Sequence, residues 1–383
     1  MKKKPSLLLK LFIAIGLGIL IGWVSPDCVM RALNCFGATF GQFIKFFVPF
    51  IILGLVTPAI ADTGRSAGRM LLVTMGVAYA STLFAGYFAY VVSGTVFPHV
   101  ISGTLGDVST AKSFTPYFKL GIPPIMDVTT ALVTSFLLGL GMIAAKSEVL
   151  LKAASELREV VTIAIAKAFV PFLPLYVLTV MADLTGSGRL AVVGGSSIKI
   201  MLLALATTSC VLVVQYAVAG VVSGRNPFKA LWNMLPAYLT GWGCCSSAAT
   251  LPVTLRQTRL NGVSDETTDL VIPLCANVHL AGSMANMVVY AAGLIFLAGE
   301  TMSLGAFTEY ILMISVIAVA SPGVPGGVVL ASASVAEAAL GFTPERYAVM
   351  IALYMALDGM GTACNLTGDG AIALVVDRVR KFI

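Results

Sequence analysis

Apolar segments of about 20 residues recur along this chain, and they constrain its fold more than any other feature. Hydrophobic residues make up 58% of the 383 positions and charged residues only 11%, against roughly a quarter charged in an ordinary soluble domain. A helix that spans a bilayer needs about 20 mostly apolar residues, and only helices or closed barrels satisfy their backbone groups in hydrocarbon. The sequence therefore predicts an all-α polytopic membrane protein.

The first half of the chain is typical of conventional spans, joined by short segments rich in glycine, proline or charge. They are predicted over about 6–24, 39–60, 69–97, 127–145, 159–184 and 188–223. The first span has no small-residue cleavage site before Ser25 and Pro26, so we interpret it as a retained helix and not a signal peptide. Lysine and arginine at both chain ends predict that both termini lie in the cytoplasm. We expect the protein to span the inner or plasma membrane of the cell.

The second half differs, because two apolar segments are interrupted by polar or Gly/Pro runs too short to leave the membrane. The first interruption covers residues 243–252 and the second covers residues 321–327. The flanking arms are each too short to cross alone, so we predict two re-entrant helical hairpins, near 226–262 and 300–340. Paired broken segments in corresponding positions point to a transporter binding site.

The helix predicted over residues 343–380 carries a row of polar side chains in apolar surroundings. Asp358, Thr362, Asn365 and Asp369 stand at i, i+4, i+7 and i+11, which is one helix face. A carboxylate at the centre of a bilayer is costly unless it is paired. A substrate ammonium and bound cations would supply the counter-charge, and the alternative is a buried hydrogen-bonded pair or an interhelix salt bridge.

Four motifs resemble, in the same order, those of the dicarboxylate/amino acid:cation symporter family. The family includes the glutamate and neutral amino-acid transporters and the sodium:dicarboxylate symporters. The motifs are residues 45–49 in the second helix, 246–256 and 323–327 at the two hairpin tips, and 356–370 in the last helix.

This resemblance implies an architecture of eight transmembrane helices plus two re-entrant helical hairpins, working as an elevator-type transporter in a homotrimer. It implies a scaffold and trimerisation domain of residues 1–68 and 115–186. The transport domain would comprise residues 69–114 and 187–383, which include both hairpins.

The resemblance also implies roles for individual residues. Asp358 would bind the substrate α-ammonium, Asn365 with Ser246 and Ser247 would hold the α-carboxylate, and the backbone around Val324 and Gly326 would close a lid. The remaining implied positions are Gly361 and Thr362 beside the substrate, and Asp369, Asn365, Cys275, Ser81 and Thr82 around a sodium ion.

Position 361 departs from the pattern of the family members that take acidic substrates. Those members carry an arginine three residues after the aspartate, whereas this chain has Gly361. Without the guanidinium, a second substrate carboxylate would be buried unpaired. The sequence therefore favours a small neutral amino acid such as serine, threonine or alanine over an acidic amino acid or dicarboxylate. The missing bulk would also admit a somewhat larger neutral side chain.

A second departure lies in the helix predicted over 265–298. The family motif Asn-Met-Asp-Gly-Thr is replaced here by the sequence from His279 to Ser283, in which Ala281 replaces the acid of one sodium site. Because a hard cation prefers carboxylate oxygens, we expect fewer coupled sodium ions than in acidic-substrate members. His279 is a candidate proton carrier, and its alternative is a neutral histidine bonded to a neighbour. Sodium at Asp369 is the favoured coupling ion.

Other classes of function are less well supported by the sequence. An uncoupled uniporter or channel would use the same frame, and a membrane enzyme would have to use His279 with Cys275 or Cys364, for which no nucleophile–base–orienter set is visible. No basic stripe with interleaved aromatics suggests nucleic acid. We expect no cofactor and no metal beyond the transported cation, and a disulfide between Cys28 and Cys35 stays open.

Overall fold

The computed structural model describes most of the chain, and every regular element in the described part is a helix. The described residues are 7–65, 69–101, 114–118, 120–126, 128–164, 167–168, 171–188, 190–244, 247–320 and 326–380. The all-α prediction is therefore confirmed.

The helices follow one another closely, with short breaks at glycine, proline or polar residues. In chain order they are α1 (Leu7–Val24), α2 (Asp27–Arg65), α3 (Arg69–Val100), α4 (Val128–Ala145), α5 (Glu148–Ala164), α6 (Leu173–Gly186), α7 (Leu190–Ser223), α8 (Pro227–Asn233), α9 (Leu235–Cys244), α10 (Ser247–Leu260), α11 (Asp265–Val278), α12 (Ala281–Leu297), α13 (Leu304–Ala320), α14 (Gly327–Ala331), α15 (Ala333–Leu340) and α16 (Pro344–Val379).

Three stretches in the described part are long and apolar enough to cross a bilayer. They are Met70–Val100, Gly195–Ser223 and Asp265–Leu297, and a fourth follows if Val349–Met355 and Leu357–Val379, which meet at 58°, are taken as one span. A membrane-spanning chain is confirmed by these helices, whereas a total of eight spans stays a prediction.

The span predicted over 159–184 is wrong, because the structure has two helices there. α5 is amphipathic and buries only Ala154 and Val161, and α6 begins at Leu173 with Pro174 in its first turn. Proline lacks the backbone N–H that a continuing helix needs and is tolerated in the first turn. Pro171 and Pro174 therefore account for the break, which the hydropathy of the segment conceals.

Cys28 and Cys35 do not form a disulfide. Both are free thiols, and both lie on α2, seven residues apart. Residues two turns apart on one helix are separated by about 10 Å, too far for a disulfide. The Cys35 sulfur instead accepts a hydrogen bond from the Tyr117 backbone N–H at 3.1 Å.

The helices pack in two groups around different partners. α1 lies along α6, and α2 contacts α4, α5 and α6; α3, α7 and α12 pack together with α16, which also contacts α9, α10 and α11. α12 is buried along almost its whole length. Irregular backbone at membrane depth survives where protein surrounds it, and the break between α11 and α12 is surrounded in this way.

Each predicted hairpin region contains paired helices. α9 packs against α10, and α13 packs against α15. Residues 245–246 and 321–325, which include the predicted site residues Ser246 and Val324, lie outside the described residues. The described arms of both hairpins contact α16 through α9, α10, α14 and α15, so both hairpin regions meet the helix that carries the polar row.

Candidate functional site

The polar row of α16 lies inside the protein and faces neighbouring helices. Asp358, Thr362, Asn365 and Asp369 are all buried, and α7, α9 and α12 pack against their helix. The i, i+4, i+7 and i+11 spacing brings them onto one face, as helical periodicity requires. The row has two ends with different surroundings, one at Asp358 and one at Asp369.

At the Asp358 end, the carboxylate contacts the backbone of the second hairpin. The Gly326 backbone N–H donates to Asp358 Oδ2 at 2.9 Å, and the Tyr354 hydroxyl forms a further hydrogen bond with this side chain. Gly326 has a φ of +75°, a left-handed conformation that favours glycine. Within the described residues, no lysine, arginine or histidine forms an ion pair with Asp358.

Gly361 lies three residues further along α16 and faces α12. A Cβ atom at this position would lie 3.1 Å from Asn286 Nδ2 and 3.4 Å from Ser283 Oγ. The missing side chain therefore lets α16 approach α12 closely, with two polar groups of α12 at contact distance. The contact is tight, because even a methyl group at position 361 would require Asn286 to shift.

Asn365 holds the broken end of α12. Its Oδ1 accepts hydrogen bonds from the Gly282 N–H at 2.8 Å and the Ser283 N–H at 3.3 Å, and its Nδ2 donates to Ser283 Oγ at 3.0 Å. The N-cap residue of α12, Leu280, makes no side-chain cap. Asn365 thus satisfies backbone donors that the start of a helix leaves free.

At the Asp369 end, a histidine from the break between α11 and α12 meets the carboxylate. His279 Nδ1 lies 2.9 Å from Asp369 Oδ1, and both side chains are fully buried, at 0% exposure. His279 Nε2 lies 3.1 Å from Ser81 Oγ and 3.1 Å from Gln215 Nε2, and Gln215 Nε2 donates to Ser81 Oγ at 2.8 Å. Two residues implied for the sodium site, Ser81 and Asp369, are therefore joined through His279.

Two other implied cation ligands are engaged with the backbone at this break. Thr82 Oγ1 donates to the Ala78 carbonyl at 3.0 Å and accepts from the Leu280 N–H at 3.2 Å. The Cys275 carbonyl accepts from the His279 N–H at 2.8 Å. The structure brings Cys275, Thr82 and Asp369 into one region, next to the end of α11.

Buried oxygens without a hydrogen-bond partner remain beside the Asp369 end. Within the described ranges they include Asp369 Oδ2 and, from α7, Gln215 Oε1. An unpaired buried carboxylate oxygen is costly, and oxygen groups of this kind are what a hard cation prefers. The donor set near Asp369 therefore fits a small cation such as sodium as a co-substrate.

Sequence reasoning missed four polar residues of this region, namely Gln215 on α7, Asn286 and Tyr290 on α12, and Tyr354 on α16. Each is buried in an apolar helix. The rule that singled out Asp358, an unexpected polar side chain at membrane depth, applies to Gln215 and Asn286 as well. The tyrosines give no such signal, because their rings pack as apolar groups, as in the edge-on Tyr290–Tyr354 contact at 6.4 Å.

A buried row of carboxylates between broken helices, inside a membrane-spanning helical chain, defines a transporter. The chain belongs to the sodium:dicarboxylate symporter family, whose profile matches residues 7–379. The resemblance found in the sequence is thereby confirmed, together with the elevator-type fold of that family. The chain is an integral membrane transporter of the symporter type, and the enzyme alternative is wrong.

Several relatives are similar over nearly the whole chain. A serine/threonine transporter SstT of Streptococcus thermophilus is 25% identical over 347 residues, which cover 85% of this chain and 84% of the relative. The protein of that name from Streptococcus suis is 24% identical over 86% of this chain and 94% of its own. The one from Acinetobacter baumannii is 24% identical over 97% of this chain and 96% of its own.

Proposed function

We propose that this protein drives the uptake of a small neutral amino acid, serine or threonine first, by symport with sodium. The observation that carries the proposal is Asp358, a buried carboxylate whose contacts are a backbone amide and a tyrosine and not a cationic side chain. A substrate ammonium supplies the missing counter-charge. The relatives named as serine/threonine transporters support this choice of substrate.

The substrate carboxylate would lie at the start of α10, near Ser247. Helix N-termini offer free backbone N–H groups and the positive end of the helix dipole to an anion, and α10 begins at Ser247 and contacts α16. Asn365 and Thr362 lie on the same face of α16 as Asp358. The Gly326 N–H, which already bonds Asp358, would close the second hairpin over the bound substrate.

Gly361 supports a neutral substrate over an acidic one. The acidic-substrate members have a guanidinium at this position. Here the polar groups of α12 nearest to position 361 are the neutral side chains of Asn286 and Ser283. A second carboxylate there would lose its hydration without gaining an opposite charge, which is unfavourable by several kcal/mol. Glutamate, aspartate and C4-dicarboxylates are therefore poor substrates in this proposal.

Sodium would bind at the Asp369 end of the row. Asp369 Oδ2 has no hydrogen-bond partner among the described residues, and the family is one of sodium symporters. His279 stands next to Ser81, Thr82 and Ala281, so a second sodium site there is disfavoured. We therefore expect fewer coupled sodium ions than in the family members that take acidic substrates.

Proton coupling through His279 is the second candidate for the driving ion. The observation that favours it is the buried contact between His279 and Asp369, because a histidine can carry a proton near neutral pH. The two candidates share the same substrate site and differ only in the gradient that drives uptake.

The remaining parts of the proposal concern assembly. A scaffold of residues 1–68 and 115–186 would form a homotrimer in the cell membrane, with both termini in the cytoplasm. The transport domain, residues 69–114 and 187–383, would carry the substrate across as a unit. The packing of α3 and α7 against α12 and α16, and of α1 and α2 against α6, supports this division.

Uptake by purified protein in proteoliposomes tests the proposal. Radiolabelled serine, threonine, alanine and aspartate would be offered with an inward sodium gradient, an inward proton gradient, or neither. We expect serine and threonine to accumulate with sodium alone. Accumulation that follows only the proton gradient would replace sodium by His279-linked coupling, and flux without accumulation would identify a uniporter or channel.

A further inference from the structure

Asn286 lies on α12 with a buried carboxamide that none of the described residues satisfies. Its side chain is 1% exposed, and neither Nδ2 nor Oδ1 has a hydrogen-bond partner in the described part of the chain. Buried amides in folded proteins are almost always bonded. An amide left unpaired on both atoms therefore points to a ligand that completes it.

The location of this carboxamide fits the substrate site. A Cβ atom built on Gly361 would lie 3.1 Å from Asn286 Nδ2, and Gly361 is three residues from Asp358 on α16. The neighbouring Ser283 hydroxyl is already engaged, because it accepts from Asn365 Nδ2 at 3.0 Å. Asn286 is therefore a polar group without a partner among the described residues, at the close contact between α12 and Gly361.

A second unpaired polar group stands one turn away on the same face of α12. The Tyr290 hydroxyl is buried without a partner among the described residues, and its ring lies edge-on against Tyr354 at 6.4 Å, the tyrosine that hydrogen-bonds Asp358. Residues at i and i+4 lie on one helix face, so Asn286 and Tyr290 both face the Asp358 region. Asn286 and Tyr290 thus form a row of buried polar groups along α12 that leads toward the proposed ammonium site.

We propose that the Asn286 carboxamide recognises the side-chain hydroxyl of the substrate and makes the transporter selective for serine and threonine over alanine. This inference rests on the proposed function, in which Asp358 binds the ammonium group of a small neutral amino acid. A hydroxyl group is both a donor and an acceptor, and a carboxamide offers an acceptor in Oδ1 and a donor in Nδ2. A substrate hydroxyl can therefore satisfy either unpaired atom.

Alanine is discriminated against because it leaves the carboxamide unpaired. A site built to hydrogen-bond a substrate hydroxyl rejects the analogue without that group far more strongly than an apolar pocket rejects an added methylene. The close packing of Asn286 against position 361 also limits the size of the substrate side chain that can bind there. We therefore expect serine and threonine to be preferred over the larger neutral side chains that the sequence left open.

The test compares serine, threonine and alanine in wild-type protein and in Asn286→Leu, a variant of similar volume without hydrogen-bonding groups. In proteoliposomes we expect wild type to take up serine and threonine with at least tenfold higher kcat/KM than alanine. In Asn286→Leu, serine and threonine should lose tenfold or more while alanine changes less than threefold. Asn277→Leu, at an exposed asparagine of α11, is the matched control and should change neither.

Two results would overturn the inference. One is a wild type that takes up serine and alanine equally well, because water and not the substrate would then be the hydrogen-bond partner of the carboxamide. The other is an equal loss for all three substrates in Asn286→Leu that retains its trimer peak and melting temperature. If Asn286→Leu does not fold, the wild-type comparison of serine and threonine with alanine decides, and kcat/KM values within threefold of one another would contradict the inference.

Failure of the proposed function gives a different pattern. A wild type that takes up none of these amino acids, or that prefers aspartate, would remove the proposed substrate class itself. A wild type that accumulates serine, threonine and alanine without preference keeps that class and removes only the role of Asn286.

Discussion

The two buried carboxylates of α16 stand on one helix face and yet have different partners. Asp358 contacts the backbone of a hairpin and a tyrosine, whereas Asp369 meets the side chain of His279, which is itself held by Ser81 and Gln215. Among the described residues no cationic side chain pairs with the first carboxylate, whereas a histidine contacts the second. Asp358 is thus available to a substrate ammonium, whereas one oxygen of Asp369 already contacts a histidine.

The difference comes from the helices that pack against each end. At Asp358 the neighbour is the second hairpin, which presents Gly326 and no cationic side chain within the described ranges. At Asp369 it is the break between α11 and α12, where His279 ends a helix and projects its ring into the protein. Five variants test whether the two ends differ in this way, and they are given in order of decreasing expected effect.

Asp358→Asn should have the largest effect, a loss of uptake of a hundredfold or more. Removing one member of a buried charge pair costs roughly 3–5 kcal/mol, and this variant removes the counter-charge of the substrate ammonium. Uptake of serine in proteoliposomes measures it. Asp377→Asn on the same helix, a carboxylate bonded by Ser264 and Thr267, is the control and should retain uptake. Normal uptake by Asp358→Asn would remove Asp358 from the site.

Asp369→Ala should abolish the dependence of substrate affinity on sodium. An ion that binds only the substrate-competent state raises affinity by its differential binding to that state. We expect sodium to increase serine affinity at least tenfold in wild type and less than twofold in the variant. Serine binding that ignores sodium in wild type would contradict the assignment of sodium to this end of the row.

His279→Gln separates sodium from proton coupling. If sodium at Asp369 drives uptake, this variant should still accumulate serine with a sodium gradient, at a rate reduced about tenfold by the loss of a buried hydrogen bond. Accumulation driven by a proton gradient in wild type, and lost in His279→Gln, would instead assign the coupling to histidine. The two gradients imposed separately give the readout.

Gly361→Arg should weaken uptake of neutral substrates about tenfold. The side chain must displace Asn286, whose Nδ2 lies 3.1 Å from the position of a Cβ atom, and the guanidinium would lie within reach of Asp358. A gain in aspartate uptake is the second expected effect, unless the arginine pairs with Asp358 itself. Unchanged kinetics for serine, threonine and aspartate would show that position 361 does not line the substrate space.

Ser81→Ala should have the smallest effect, a change in uptake of about two- to threefold. It removes one of two contacts to His279 Nε2 and leaves the one from Gln215, and an ordinary hydrogen bond contributes roughly 0.5–1.5 kcal/mol. A melting curve and serine uptake measure it together. A loss as large as that of Asp369→Ala would mean that Ser81 binds the cation directly.

The class of fold and the helix face that carries the polar row could be predicted from the amino-acid sequence. Long apolar segments required membrane-spanning helices, short polar interruptions indicated the two broken regions, and the spacing from Asp358 to Asp369 placed four polar residues on one helix face. These features are local, because they depend on helical periodicity and on the cost of polar groups in lipid. A chain with this pattern has few other ways to bury its polar groups.

The contacts between side chains of different helices could be read only from the packed structure. His279 and Asp369 are 90 residues apart, Gly361 faces Asn286 and Ser283, and Gln215 enters from α7. The periodicity of one helix fixes the direction of a side chain relative to its own axis, whereas its partner depends on how neighbouring helices rotate and slide on packing. Pairings between distant helices therefore follow from the packed core and not from spacing along the chain.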